Sequence, residues 1–256
     1  MSRMWWSTLI VAAVIGAAPY GLGASEPEQS GPDLKIMTVA DLEKAGDASR
    51  AVKDYEQAIR YYQEGLRREK KNAHLYNKLG LAELSGGDTA SAKIAFEKAV
   101  KLNSKYADAL NNLGAVYFKE SRMGNAAKYF KKAVALDETR ATFHVNLGAA
   151  WFNQKKVEPA MKEYARALEL DPEVLERTAK AGIVAQISSP EERAKFYYEL
   201  AKIHAKRGDV ESCLQCLKKA KENGYRELAN VYRDEQFNQL WSNPQLQEVV
   251  PPPAVK

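Results

Sequence analysis

Small and apolar residues return along this chain with a period of 34. Gly46, Gly80, Gly114 and Gly148 stand one period apart, each behind a small or branched apolar residue: Ala45, Leu79, Leu113 and Leu147. Further along each period comes an alanine: Ala58, Ala92, Ala126 and Ala160. Four residues later stands a ring (Tyr62, Phe96, Phe130, Tyr164), and three later again a small residue (Gly65, Ala99, Ala133, Ala167). Small, ring and small at i, i+4 and i+7 share one face of a helix. A glycine inside a helix costs about 1 kcal/mol against alanine, so its recurrence needs a packing reason, a neighbouring helix that crosses closely. Each period therefore predicts two helices joined by a short turn such as "SGGDTAS" at 85–91. Pro159 falls in the first turn of its helix, where proline is tolerated. No unit can bury its apolar face alone, whereas stacked units can.

"LYNKLGLAEL" and "ALNNLGAVYF" resemble the first helix of the tetratricopeptide repeat, and "AAKYFKKAVALD" and "PAMKEYARALELDP" resemble its second. The resemblance runs without a gap over residues 39–174, as four tandem units. It implies an all-α fold, a right-handed superhelical solenoid of antiparallel helix pairs. There are departures. Ser49 and Glu83 stand where an aromatic is usual, as in Tyr117 and Trp151. Leu42, Tyr76, Leu110 and His144 replace the usual tryptophan of the first turn.

After residue 174 the register breaks. Residues 175–193 form a connector, expected as one helix followed by an extended stretch. A fifth, tetratricopeptide-like unit is expected over 194–225, with Leu200-Ala201 in the Leu-Gly place and Leu217 in the ring place. Ser189-Pro190-Glu191-Glu192 has the makings of a helix start: a serine cap, proline at the first position and acids in the first turn. Over 226–250, Leu228, Val231, Tyr232, Phe237, Leu240, Trp241, Leu246 and Val249 recur at helical spacing. They predict C-terminal capping helices over the open end of the solenoid, with starts at Asp234 and at Asn243-Pro244. Residues 251–256 read as a disordered tail.

The N-terminus differs in kind. Arg3, an apolar run from Met4 to Ala18, then Pro19 and the small residues Gly21, Gly23 and Ala24 describe an export signal over 1–24. Cleavage is expected after Gly23 or Ala24. The alternative is an uncleaved anchor with Trp5 and Trp6 at the membrane interface, although the run is short of the roughly 20 residues a span needs. No cysteine follows it, which argues against a lipid anchor. Residues 25–38 read as a flexible lead-in. The expectation is a bacterial chain exported to the periplasm or beyond the cell, touching membrane only if the signal stays uncleaved.

Composition changes this picture little. The charge is +5, from 38 basic and 33 acidic residues, and the excess is spread along the chain, which argues against nucleic acid as a partner. There is no phosphate-cradling glycine loop, no nucleophile elbow and no pair of histidines at metal spacing. His74, His144 and His204 lie on different units. Neither catalytic residues nor a cofactor is expected, and the chain reads as no enzyme. Lys128, Lys131 and Lys132 are expected on the outer face of a second helix.

The two cysteines, in "CLQC", raise a separate question. Cys213 falls in the column of Ala58, Ala92, Ala126 and Ala160, so it sits within a second helix. Residues three apart on a helix have Cβ atoms about 5–6 Å apart, while a disulfide wants about 3.5–4.5 Å. Packing is the expected role; a strained disulfide or a metal site are the alternatives.

In stacked helix pairs the first helices line the concave side. The register puts Asn77, Asn111, Asn112 and Asn146 there, with Phe118 and Phe152 nearby and Lys119 and Asn153 further along. An asparagine both donates and accepts, so a row of them can hold an extended backbone without reading its sequence. The resemblance implies that use for Asn112 and Asn146. The alternative is that they tie helices together. The basic clamp that some family members use for a carboxylate is not evident, since Asn77, Leu81 and Ala115 fill its places. The leading expectation is an adaptor or scaffold that binds a protein or peptide partner; the alternative is a structural or assembly subunit of an envelope complex.

Overall fold

The computed structural model describes residues 34–179 and 189–253. The export signal, most of the lead-in, the expected extended stretch of the connector and the last three residues lie outside the described residues.

Helices pair in chain order. The first unit is α1 (Val39–Ala51) with α2 (Tyr55–Arg68); the second is α3 (Ala73–Ser85) with α4 (Thr89–Leu102). The third is α5 (Ala107–Lys119) with α6 (Met123–Leu136), and the fourth is α7 (Ala141–Asn153) with α8 (Val157–Leu170). A short α9 (Val174–Ala179) follows, then the fifth pair, α10 (Pro190–Arg207) with α11 (Val210–Glu222). The second helix of each of the first three units also packs on the next unit, α2 on α3, α4 on α5 and α6 on α7. The result is a right-handed solenoid of antiparallel helix pairs.

Local chemistry marks several helix starts. Thr38 and Asp41 form a reciprocal capping box at α1. Asp54, Asn72 and Asp88 each accept a bond from the backbone N–H three residues on, at 3.0 Å. Ser189 does the same for Glu192 N–H, with Pro190 in the first turn of α10. The turn inside each pair puts one residue in the left-handed region: Lys53, Gly87, Ser121 and Lys155, then Gly208 in the fifth unit. Four of these positions are one period apart, yet only Gly87 and Gly208 have the residue that takes this conformation freely.

The glycine column explains itself in the packing. A Cβ added to Gly46 would lie 2.5 Å from the Tyr62 ring, and one on Gly80 or Gly114 would lie 2.7 Å from Phe96 or Phe130. These rings are fully buried, and each lies directly against the bare backbone of its partner helix. Gly148 is looser: its Cβ would meet Tyr164 and the Ala160 carbonyl at 3.2 Å. In the fifth unit Ala201 and Leu217, both buried, take the two places, so a methyl is added where a ring is removed.

The C-terminal cap differs from the expected helices. Leu228–Tyr232 and Glu235–Leu240 are 3₁₀ segments, and only Pro244–Val249 (α12) is α-helical. Asn243 does cap α12, accepting from Gln245 N–H at 2.8 Å. The Asp234 side chain does not act as a cap; its carboxylate accepts from the Tyr198 hydroxyl at 2.7 Å, and the six residues after it form a 3₁₀ segment. Val231, Phe237 and Leu246 are fully buried. Tyr232 OH donates to the Val250 carbonyl, Trp241 Nε1 to Val231 and Lys221 Nζ to Val249, so the cap is held by side chain to backbone bonds. No helix among the described residues is long and apolar enough to cross a membrane.

The distances rank a substitution series. Alanine gains about 1 kcal/mol of helix propensity over glycine, while overpacking a core costs about 1–3 kcal/mol. Gly80→Ala and Gly114→Ala are expected to lose stability on balance, by up to about 2 kcal/mol. Gly148→Ala, with its wider gap, is expected to be near neutral. Urea unfolding of the three variants checks the order.

Candidate interaction surface

α3 packs directly on α5, and α5 on α7, whereas the second helices make no comparable contact with each other among the described residues. The first helices are therefore the inner layer of the curve. Along this layer one arrangement repeats, joining a residue to the one 35 positions on. Asn112 Nδ2 donates to Asn77 Oδ1 at 2.9 Å, and Asn146 Nδ2 donates to Asn111 Oδ1 at 2.8 Å. The same rung between α1 and α3 is ionic, with Lys78 Nζ 2.7 Å from Glu43 Oε1.

Further bonds join the rungs. Asn77 Nδ2 donates to the Tyr106 hydroxyl at 3.3 Å, and that hydroxyl lies 2.9 Å from His74 Nδ1. Lys78 also reaches Asp47 at 2.5 Å, and Asp47 accepts from the Tyr62 hydroxyl at 2.7 Å. Burial works to raise the Asp47 pKa, but the bonds from Lys78 and Tyr62 outweigh it and hold the carboxyl below its usual value. The ring of the glycine interlock in unit one is thus tied to the polar row.

The expected site residues divide. Asn77 and Asn146 are buried, at 4% and 9% exposure, with their amides turned to other asparagines. Asn111 and Asn112 are half-buried. Phe118 and Phe152 are buried, which corrects their placement on an open wall. Phe152 meets Phe196 edge to face at 5.4 Å and so ties the fourth unit to α10 across the break in register. Lys119 is exposed, while Asn153 is half-buried and donates to the Ala149 carbonyl. Glu43, Asp47, His74, Lys78 and Tyr106 belong to the row and were missed. The signal for the rungs was in the sequence, but as pairs 35 apart rather than in the 34-residue columns.

The reactive residues are accounted for by packing. His144 fills the large-residue place; its Nδ1 lies 2.5 Å from Glu163 and its Nε2 3.1 Å from the Glu138 carbonyl. His204 is buried with Nδ1 3.0 Å from Asp209, and burial, which outweighs that carboxylate, holds its pKa below the usual value. Cys213 and Cys216 are both free and buried. Burial pushes each thiol up to about 12, so neither is a thiolate at neutral pH. Among the described residues no three His, Cys, Asp or Glu side chains come together as metal ligands. Lys128, Lys131 and Lys132 are exposed on the second helix α6.

If the amide rungs hold the inner layer, they are energetically coupled. Asn112→Ala removes a donor from the nearly buried Asn77 Oδ1 and is expected to cost about 1–2 kcal/mol. Asn77→Leu with Asn112→Ala together should cost less than the sum of the single changes. A double-mutant cycle by urea unfolding checks this; strict additivity would show that the rung carries no energy.

Profiles of the tetratricopeptide repeat match residues 41–100 and 77–141, and a second such profile matches 141–174 and 194–223. No curated protein matches the chain. Among solved structures, a crystal structure of MamA superposes with a TM-score of 0.50 at 21% identity, covering 71% of this chain and 95% of that one. MamA from Desulfovibrio magneticus RS-1, from residue 41 to its end, gives 0.52 at 22% identity, covering 72% and 94%. YrrB, described as a TPR protein with an unusual peptide-binding site, gives 0.50 at 21%, covering 76% and 91%. At these identities the likeness is one of fold. The profiles span all five helix pairs, and the chain belongs to the tetratricopeptide repeat family, a fold that serves as a scaffold for protein–protein interaction.

Proposed function

We propose that this chain is an exported scaffold of the bacterial cell envelope that holds a protein or peptide partner against its inner layer of first helices. The supporting observation is the amide row at the middle of that layer. Asn111 and Asn112 are half-exposed, and each rung uses one hydrogen of an amide that carries two. The row therefore offers donors and acceptors to an extended backbone while its rungs stay intact. Lys119 lies two helical turns beyond Asn112 on the same face and adds an exposed cation. YrrB's peptide-binding site gives a precedent for such use within the fold. The case for export rests on the basic start, apolar run and small residues of the first 24 positions.

Site-specific photocrosslinking tests the binding reading. A photoreactive residue at Lys119, on the inner layer, is expected to trap a partner in cells expressing the full chain, and one at Lys132, on an exposed second-helix face, is not. Equal trapping from both faces would contradict it. N-terminal sequencing of the protein recovered from the same cells tests export: a chain starting at Ala24 or Ser25 is expected, and retention of Met1 would contradict cleavage.

A further inference from the structure

Glu83 stands in a place meant for a ring. One and two periods on are Tyr117 and Trp151. In the third unit Tyr117 stacks on Tyr129, with centroids 5.4 Å apart and planes 8° apart. The same two places hold Ser49 and Tyr61 in the first unit and Trp151 and Glu163 in the fourth. Only the second unit has a ring in neither, with Glu83 and Ala95. A cavity of about 340 Å³ remains there, lined by Tyr76, Leu79, Glu83, Ile94, Ala95 and Lys98 among others.

The acid in this cavity is buried and unmatched. Glu83 is 7% exposed, and its Oε2 has no hydrogen-bond partner among the described residues. Such an oxygen forgoes water without gaining a donor, an arrangement that costs stability. Burial first, and the nearby Asp88 second, push the carboxyl up to about 7. At the edge Ile94 is 69% exposed, where the third unit has Lys128. The second unit thus carries a notch with Leu79 and Ala95 on its walls, Ile94 at its lip, Ser91 and Lys98 as its other polar lining, and a carboxyl group whose Oε2 lacks a donor.

We propose that this notch, between α3 and α4 and apart from the amide row, is a docking site for an arginine side chain of a protein partner. A guanidinium is flat, as the missing rings are, and offers five N–H donors in a fork that matches a carboxylate. Its methylene stem suits the Leu79, Ile94 and Ala95 walls, and its plane can stack on Tyr76. A compact, strongly hydrated ammonium would fit the apolar walls less well. Lys98 also lines the cavity and opposes a cation, while Asp88 favours one. In the third unit two cations already lie beside the equivalent place, Lys93 at 4.7 Å and Arg122 at 4.8 Å from the centre of the Tyr117 ring.

The test is an NMR titration of the protein with N-acetyl-argininamide. Saturable shifts are expected at Tyr76, Ile94 and Ala95, with N-acetyl-lysinamide and N-acetyl-tyrosinamide binding more weakly. Glu83→Gln, which keeps the volume and removes the charge, should weaken binding roughly tenfold. Glu83→Tyr with Ala95→Tyr rebuilds the stacked pair of the third unit; it should fold at least as stably and lose the saturable shifts. No saturation in the unaltered protein, equal saturation in the rebuilt variant, or stronger binding of the tyrosine amide would each overturn the proposal. The outcome is independent of the amide row, which crosslinking at Lys119 probes.

Discussion

The structure depends on a ring laid against a helix that has no side chain to resist it. In three units the gap between ring atoms and the position of a glycine Cβ is 2.5–2.7 Å, closer than a methyl allows. This contact sets how near the two helices of a pair can come, and so the shape each unit presents to the next. The glycine gives up about 1 kcal/mol of helix propensity to permit it. Repeated every 34 residues, the interlock yields near-identical blocks whose apolar faces are buried only by stacking. The fourth unit is looser, at 3.2 Å, and the fifth replaces the contact by an alanine with a leucine. The interlock thus relaxes towards the end that carries the cap.

Stacking buries a second kind of contact. The inner layer is joined by polar rungs, ionic between α1 and α3 and amide between the next two pairs. Asparagines that a partner could use are therefore first structural, and a substitution there tests stability before it tests binding. Partner contact falls to what the rungs leave over: the half-exposed Asn111 and Asn112 and the exposed Lys119. The second unit adds a different feature between α3 and α4, where absence of a stacked ring pair leaves a carboxyl without a donor.

What was legible in the sequence follows from what repeats. The glycine, alanine and ring columns are properties of single units, so comparing units exposes them, and with them the helix pairs and the family. The rungs join residues of different types in adjacent units, Glu43 with Lys78 and Asn77 with Asn112, and no column displays them. Phe118 and Phe152 shared the helical face expected to line the groove, but neighbouring helices cover them, and face alone cannot tell a groove wall from a buried seam. The cap reads as helical by spacing, yet Asp234 is taken up by Tyr198 and the segment after it tightens to 3₁₀. Glu83 was visible as a departure from the family; its consequence needed Ala95, twelve residues away, to be placed beside it.

The measurement that tests the interlock most directly is a thermodynamic cycle between Gly114 and Phe130, read by urea unfolding. Phe130→Leu costs packing of its own, but it makes room for a methyl, as Leu217 does beside Ala201 in the fifth unit. With phenylalanine present, Gly114→Ala should destabilise; in the Phe130→Leu background the same change should be neutral or stabilising, a coupling of at least about 1 kcal/mol. If Gly114→Ala costs the same in both backgrounds, the glycine column is not there to admit the rings, and the account of the fold built on it fails.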